Sequence, residues 1–103
     1  MSKHRSQVLK EKLDRNPKFK RVQLAKNYDS ISFNYRNTGR WMVVHNDRTD
    51  TTLVELWLNG QAIEPISTVK KGKSASLSDV KSSLDLVIDN DQRLYLQAKG
   101  GAR

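Results

Sequence analysis

The stretch TTLVELWL at residues 51–58, followed at once by Asn59-Gly60, limits what this chain can become more than any other feature. Val54, Leu56 and Leu58 fall on one face of an extended segment; Leu53, Glu55 and Trp57 fall on the other. A period of two is the signature of a strand. Asn-Gly between apolar runs marks a tight type I′ hairpin, because both central residues must take positive φ. The returning segment is residues 61–64, ended or confined to an edge by Pro65, with 66–69 continuing after a bend. Upstream, Ile31, Phe33 and Tyr35 alternate with Ser32 and Asn34 from residue 30 onward. Asn37-Thr38-Gly39 turns the chain. Residues 40–45 then carry Trp41, Met42, Val43 and Val44, a continuous apolar run that suits a central strand. Downstream, residues 74–77 read as a short strand and 78–81 as a turn or a single helical turn. Leu84, Leu86 and Ile88 fall on one face of a strand at 83–88, and residues 93–98 form a last strand after the Asp89-Asn90-Asp91 turn. Six to eight short strands at close spacing predict a mainly β fold, an antiparallel β-sandwich or a small barrel.

The first 27 residues follow a different rule. Residues 1–26 hold nine Lys/Arg and two acids, for a net charge of +7, while residues 27–103 hold ten and nine, for +1. Such asymmetry describes a basic tail on a nearly neutral body. Val8, Leu9 and Leu13 recur at helical spacing, so residues 7–15 predict two turns of amphipathic helix with Ser6 as N-cap, stopped by Asn16-Pro17. A helix this short is marginal in water by itself. The expectation is therefore a basic, partly helical N-terminal arm over residues 1–27, ordered by whatever binds it, and an antiparallel β domain over 28–103. Val22 and Leu24 alternate with Arg21 and Gln23 and are able to extend as a first strand.

The chain has no cysteine, which removes disulfides and thiolate metal sites. No apolar run approaches the ~20 residues that span a bilayer, and no apolar stretch follows the basic N-terminus as in a secretory signal. The expected location is intracellular (cytoplasmic), or within an assembled virion-like particle. Catalysis finds little footing: His4 lies in the arm, His45 ends a strand without a motif partner, and no serine sits in a nucleophile elbow. Asp85, Asp89 and Asp91 lack the glycine and further ligands of a calcium loop, so no metal or other cofactor is expected. Lys70-Lys71-Gly72-Lys73 lacks the spacing of a phosphate loop and reads as a basic hairpin tip with a secondary hold on polyanions.

The arm carries the functional signal. Lys3, Arg5, Lys10, Lys12, Arg15, Lys18, Lys20, Arg21 and Lys26 form a dense positive string, with Phe19 inside it and Tyr28 just beyond as rings able to stack on a base. Each phosphate such a string neutralises releases a counterion, so it favours DNA or RNA without reading sequence. The same charges suit an acidic protein surface or an anionic membrane, or simply keep the chain soluble. The Val8/Leu9/Leu13 stripe points instead to docking in a partner groove, since phosphate binding needs no apolar stripe.

From Gly39-Arg40-Trp41-Met42-Val43-Val44 through the 51–60 hairpin and 65–69 to Lys70-Lys71-Gly72-Lys73-Ser74-Ala75-Ser76-Leu77, the chain resembles small jelly-roll or immunoglobulin-like β modules of phage and other surface assemblies. The likeness covers roughly 60 residues by its order of strand, hairpin, proline, strand and glycine turn, an order shared by many β folds. It implies a non-enzymatic structural or assembly protein of phage or viral type that self-associates or binds other subunits. The arm would then hold a neighbour or nucleic acid. The alternative is a nucleic-acid-binding regulatory protein with sequence-nonspecific phosphate contacts.

Overall fold

In the computed structural model, which describes residues 4–27 and 29–90, the alternating segments form strands. They are β1 (Phe19–Leu24), β2 (Ser30–Tyr35), β3 (Arg40–Asp47), β4 (Thr51–Leu58) and β5 (Gln61–Lys70). All pair antiparallel in the order β1-β2-β3-β4-β5, so each strand lies beside its neighbour in sequence. Every second residue of the three central strands is buried on one face: Ile31, Phe33 and Tyr35; Trp41, Val43 and His45; Thr52, Val54, Leu56 and Leu58. Asn59 (φ 49°) and Gly60 (φ 85°) close the hairpin between Leu58 and Gln61. Gly39 enters β3 at φ 131°, where a Cβ would sit 2.9 Å from Leu58 Cδ1.

The sheet is open, so no barrel forms, and a second sheet is not found among the described residues. The buried face is covered instead by two helices, α1 (Arg5–Asp14) and α2 (Leu77–Asn90). An antiparallel sheet with one apolar face needs a second layer, and amphipathic helices supply it here. α1 contributes Leu9 and Leu13, one turn apart, and α2 contributes Val80, Leu84 and Val87; all five are buried with the sheet's aromatic residues.

Four expectations change as a result. Residues 83–88 are helical, not a strand, because the buried positions are spaced by three and four while Leu86 is 53% exposed. Residues 74–76 carry no strand and lead into α2. The segment expected as a separate arm belongs to the fold: α1 is seated on the core and β1 pairs with β2 from Phe19↔Tyr35 to Leu24↔Ile31. A ten-residue helix, marginal alone, is stable once its apolar stripe is buried. Its N-cap is His4, not Ser6; His4 and Gln7 make a reciprocal capping box. The strand expected at 93–98 lies outside the described residues.

Both sheet edges are blunted. β1 bulges between Lys20 and Gln23, with Arg21 at φ 52°. β5 contains Pro65 and two register shifts against β4. Bulges and proline disrupt the row of free backbone groups that would otherwise pair with another chain.

Candidate anion-binding clefts

The cations of the N-terminal segment divide into those the fold uses and those it leaves in solvent. Arg5 is used. Its guanidinium grips Asp47 through two bonds of 2.7 and 3.1 Å, reaches Thr52 Oγ1 at 3.1 Å, and lies 3.6 Å from Asp29. Its side chain is only 7% exposed, so it is not a surface phosphate contact. Hydrogen bonds from Arg5 and from the Thr52 hydroxyl hold the Asp47 carboxyl at about 2. Lys10 bridges to Asp14 one turn along α1. Phe19 is buried, stacked on Tyr35 with ring centroids 4.8 Å apart and edge-on to Phe33 at 5.2 Å, so it cannot stack on a base. Leu9 and Leu13 are likewise committed to the core and cannot dock a partner, whereas Val8 remains 41% exposed. Lys12, Arg15, Lys18, Lys20, Arg21 and Lys26 are exposed, as are Lys70, Lys71 and Lys73 at the β5 turn. Lys3 and Tyr28 lie outside the described residues.

One cleft opens between α1 and the connection from β5 to α2. It is a half-open cleft of about 400 Å³, lined by Arg5, Val8, Leu9, Lys12 and residues 72–76. Three cations and no carboxylate stand in that lining. Gly72, at φ 85°, donates its N–H to Thr52 Oγ1, and the Lys73 N–H closes the turn on the Lys70 carbonyl. Ser76 caps α2, accepting from the Asp79 N–H through its hydroxyl. The cleft therefore also faces the positive end of a 14-residue helix.

His45 holds Ser74 in place through a hydrogen bond. Its Nδ1 lies 3.1 Å from the Asp29 carbonyl, which only accepts, so Nδ1 carries the proton and Nε2 is the acceptor. The Ser74 hydroxyl then donates to Nε2 at 2.8 Å, and Ser6 Oγ lies 3.3 Å from Nδ1. Burial pushes the imidazole below its usual range; the Asp29 carbonyl opposes this, and the nearby Arg5 and His4 add to the lowering. The neutral ring thus ties α1, β3 and the 72–76 connection together.

A second cleft, of about 570 Å³, opens between the start of β1, the turn after β2 and α2. Tyr35 donates to Asp85 at 2.7 Å, Arg36 forks onto Asp89 at 2.9 and 3.0 Å and reaches Asp85 at 3.2 Å, and Lys81 lies 3.3 Å from Asp85. Burial and the Asp85 hydrogen bond raise the Tyr35 phenol. Burial works against the Asp85 charge, but Tyr35 and Lys81 outweigh it and hold the carboxyl low. Arg36 and Lys81 are thereby neutralised, and Lys18 and Lys20 remain as the cleft's unpaired cations.

Sequence reasoning grouped the cations by position in the chain; the fold regroups them in space. Lys12 and Lys73 line one cleft, and Lys18 and Lys20 line another with Asn34 and Asn37. The Ser74–His45–Ser6 and Tyr35–Asp85–Arg36 contacts join residues 29 to 50 positions apart, and no local motif announces them. Among the described residues no cluster of three or more His, Cys, Asp or Glu is arranged to hold a metal ion. No described helix is long and apolar enough to cross a membrane. No protein-family model matches the chain, and neither a curated protein nor a solved structure is significantly similar to it.

Proposed function

We propose that this chain is a non-enzymatic nucleic-acid-binding protein that contacts the phosphate backbone without reading base sequence. The observation that carries the reading is the set of exposed cations from α1 to the loop just after β1. Lys12, Arg15, Lys18, Lys20, Arg21 and Lys26 have no carboxylate partner among the described residues, although Arg5, Arg36, Lys10 and Lys81 each have one. Paired charges are spent on the fold; unpaired ones on a rigid layer form a field that attracts a polyanion. Their support is ordered, so the contacts are made by a folded surface and not by a flexible string.

Fluorescence anisotropy with unrelated DNA and RNA oligonucleotides, titrated at several salt concentrations, tests this. Binding should weaken steeply with salt and show no sequence preference. Replacing Lys18 and Lys20 together by alanine should flatten the logarithmic salt slope by about two units. Absence of binding to every oligonucleotide at low salt would remove the nucleic-acid reading. The same cations would then serve assembly, gripping an acidic face of a neighbouring subunit.

A further inference from the structure

We infer that the face of the sheet turned away from the helices is a self-association surface: a second copy of this chain packs on it about a two-fold axis near Met42, so that each copy's Glu55 meets the other copy's Arg40. The inference concerns what the chain does with itself and stands apart from the nucleic-acid reading.

Three observations carry it. The first is an uncovered apolar surface. Both helices pack on the face that holds Phe33, Trp41, Val43, Val54 and Leu56. The alternate residues of β3 and β4 point the other way, and they include Met42, Val44, Leu53 and Trp57, all half-buried, with Met42 paired across the strands with Trp57. None of these four belongs to the core or packs against it. The solvated face of an antiparallel sheet is ordinarily polar, as the outward Ser30, Ser32 and Asn34 of β2 are. The outward residues of β3 and β4 depart from that rule.

The second observation is charge. Glu55 stands within this apolar patch, with Val44 and Pro65 as its cross-strand partners, and it has no ion pair among the described residues. Arg40 lies on the same face of β3 as Met42 and Val44. It donates to four neutral oxygens, the Arg21 carbonyl, Gln23 Oε1, Ser32 Oγ and Asn34 Oδ1, at 2.7–3.0 Å, and to no carboxylate. Those bonds fix the guanidinium in place, while its charge stays uncompensated and its Nε–H is neither used by them nor enclosed. Within one chain the two charges cannot meet: Glu55 sits opposite Val44, four residues from Arg40 and so about 13 Å along the strand.

The third observation is placement. Met42 lies between the two charges, so a two-fold axis beside it sets Glu55 against Arg40 twice, an isologous contact with Met42 and Trp57 at its centre. The bulge in β1 and Pro65 in β5 blunt the sheet edges, which disfavours pairing with another copy by strand addition and leaves face-to-face stacking. A carboxylate covered without a cation is costly, so Glu55 rejects an ordinary apolar partner and accepts one that brings an arginine.

The test is sedimentation velocity of the full chain, without nucleic acid, over a range of concentrations, with backbone amide NMR to locate the contact. A concentration-dependent dimer is expected, with shifts at residues 42–44 and 53–57. Glu55→Lys sets like charges together twice and should raise the dissociation constant by about a hundredfold or more. Met42→Lys, at the axis, should do the same. Both side chains point away from the core, so thermal melts of these variants should stay close to that of the unaltered chain. Arg40→Glu should dissociate the dimer as well. An equimolar mixture of Glu55→Lys and Arg40→Glu should restore it, because both contacts of the mixed pair then join opposite charges. Failure of the mixture to associate, with both variants folded, overturns the pairing. Arg40 also seats β1 and β2; if Arg40→Glu unfolds, Glu55→Lys and Met42→Lys decide alone, and a dimer that both leave unchanged uses another surface and overturns the inference. A chain that stays monomeric into the millimolar range overturns it too, whether NMR then finds the face occupied by residues 91–103 or, once an oligonucleotide is added, by nucleic acid.

Discussion

Truncating Leu13 to alanine separates a helix that belongs to the core from one that merely rests on it. Leu13 is fully buried, together with Leu9, against the sheet's apolar face. Emptying such a site costs about 2–5 kcal/mol, through lost transfer energy and the cavity left behind. A domain of this size holds only about 5–15 kcal/mol in all. A mid-range loss of about 3 kcal/mol lowers the thermal midpoint by about 12–24 °C for a domain near 100 residues. Alanine is the better helix former, so intrinsic propensity works against the loss and cannot produce it. Val8→Ala is the internal control: the same helix, five residues away, 41% exposed, with an expected change within about 0.5 kcal/mol. Circular dichroism melts and urea titrations on both variants give the comparison. If Leu13→Ala loses less than about 1 kcal/mol and matches Val8→Ala, α1 is undocked in solution and the two-layer description fails.

Gly39→Ala should destabilise by about 1–3 kcal/mol, since φ 131° and the approach to Leu58 both resist a Cβ; denaturant melts measure it. For His45 the folded state lowers the imidazole below its unfolded value near 6.5, so the unfolded chain takes up the proton first. Stability should be complete above about pH 6.5 and decline as pH falls below it, and His45→Gln should abolish that decline in urea titrations across pH. Asp47 behaves differently: its folded value of about 2 against 3.8 places its contribution above about pH 4, to be lost as pH falls toward 2. Tyr35→Phe removes the hydroxyl that holds Asp85 down, so the Asp85 carboxyl should titrate at higher pH in carboxylate-detected NMR.

The hairpin and the three central strands were readable because a half-buried strand has no freedom in which residues it turns inward. Ile31, Phe33 and Tyr35 face the core for the same reason they alternate in the sequence. α2 was not readable in the same way. Leu84, Leu86 and Ile88 satisfy period two, yet Val80, Leu84 and Val87 satisfy the helical period equally well, and only the demand of the sheet for a covering layer decides between them. α1 was visible as a helix, but its destination was not: the Leu9/Leu13 stripe fits a partner's groove or this chain's own sheet, and charge density favoured the first. The clefts were illegible for a different reason. Lys12 and Lys73 lie 61 positions apart, and no periodicity relates residues joined only by the path of the fold.

The bidentate grip of Arg5 on Asp47 ties the start of the chain to the far end of the β3–β4 hairpin, 42 residues later. On a ribosome this sets an order of events. α1 emerges first, with two leucines and a guanidinium whose destinations have not yet been made. The leucines find their surface mainly beside β1 and β2, but the arginine lacks its bidentate carboxylate until Asp47 at the end of β3 is in place. α1 is therefore not fully fastened until β3 and β4 have brought Asp47 and Thr52 to Arg5. Until then this segment carries dense positive charge without the ion pair that seats it, the state in which a polyanion or a chaperone competes best for it.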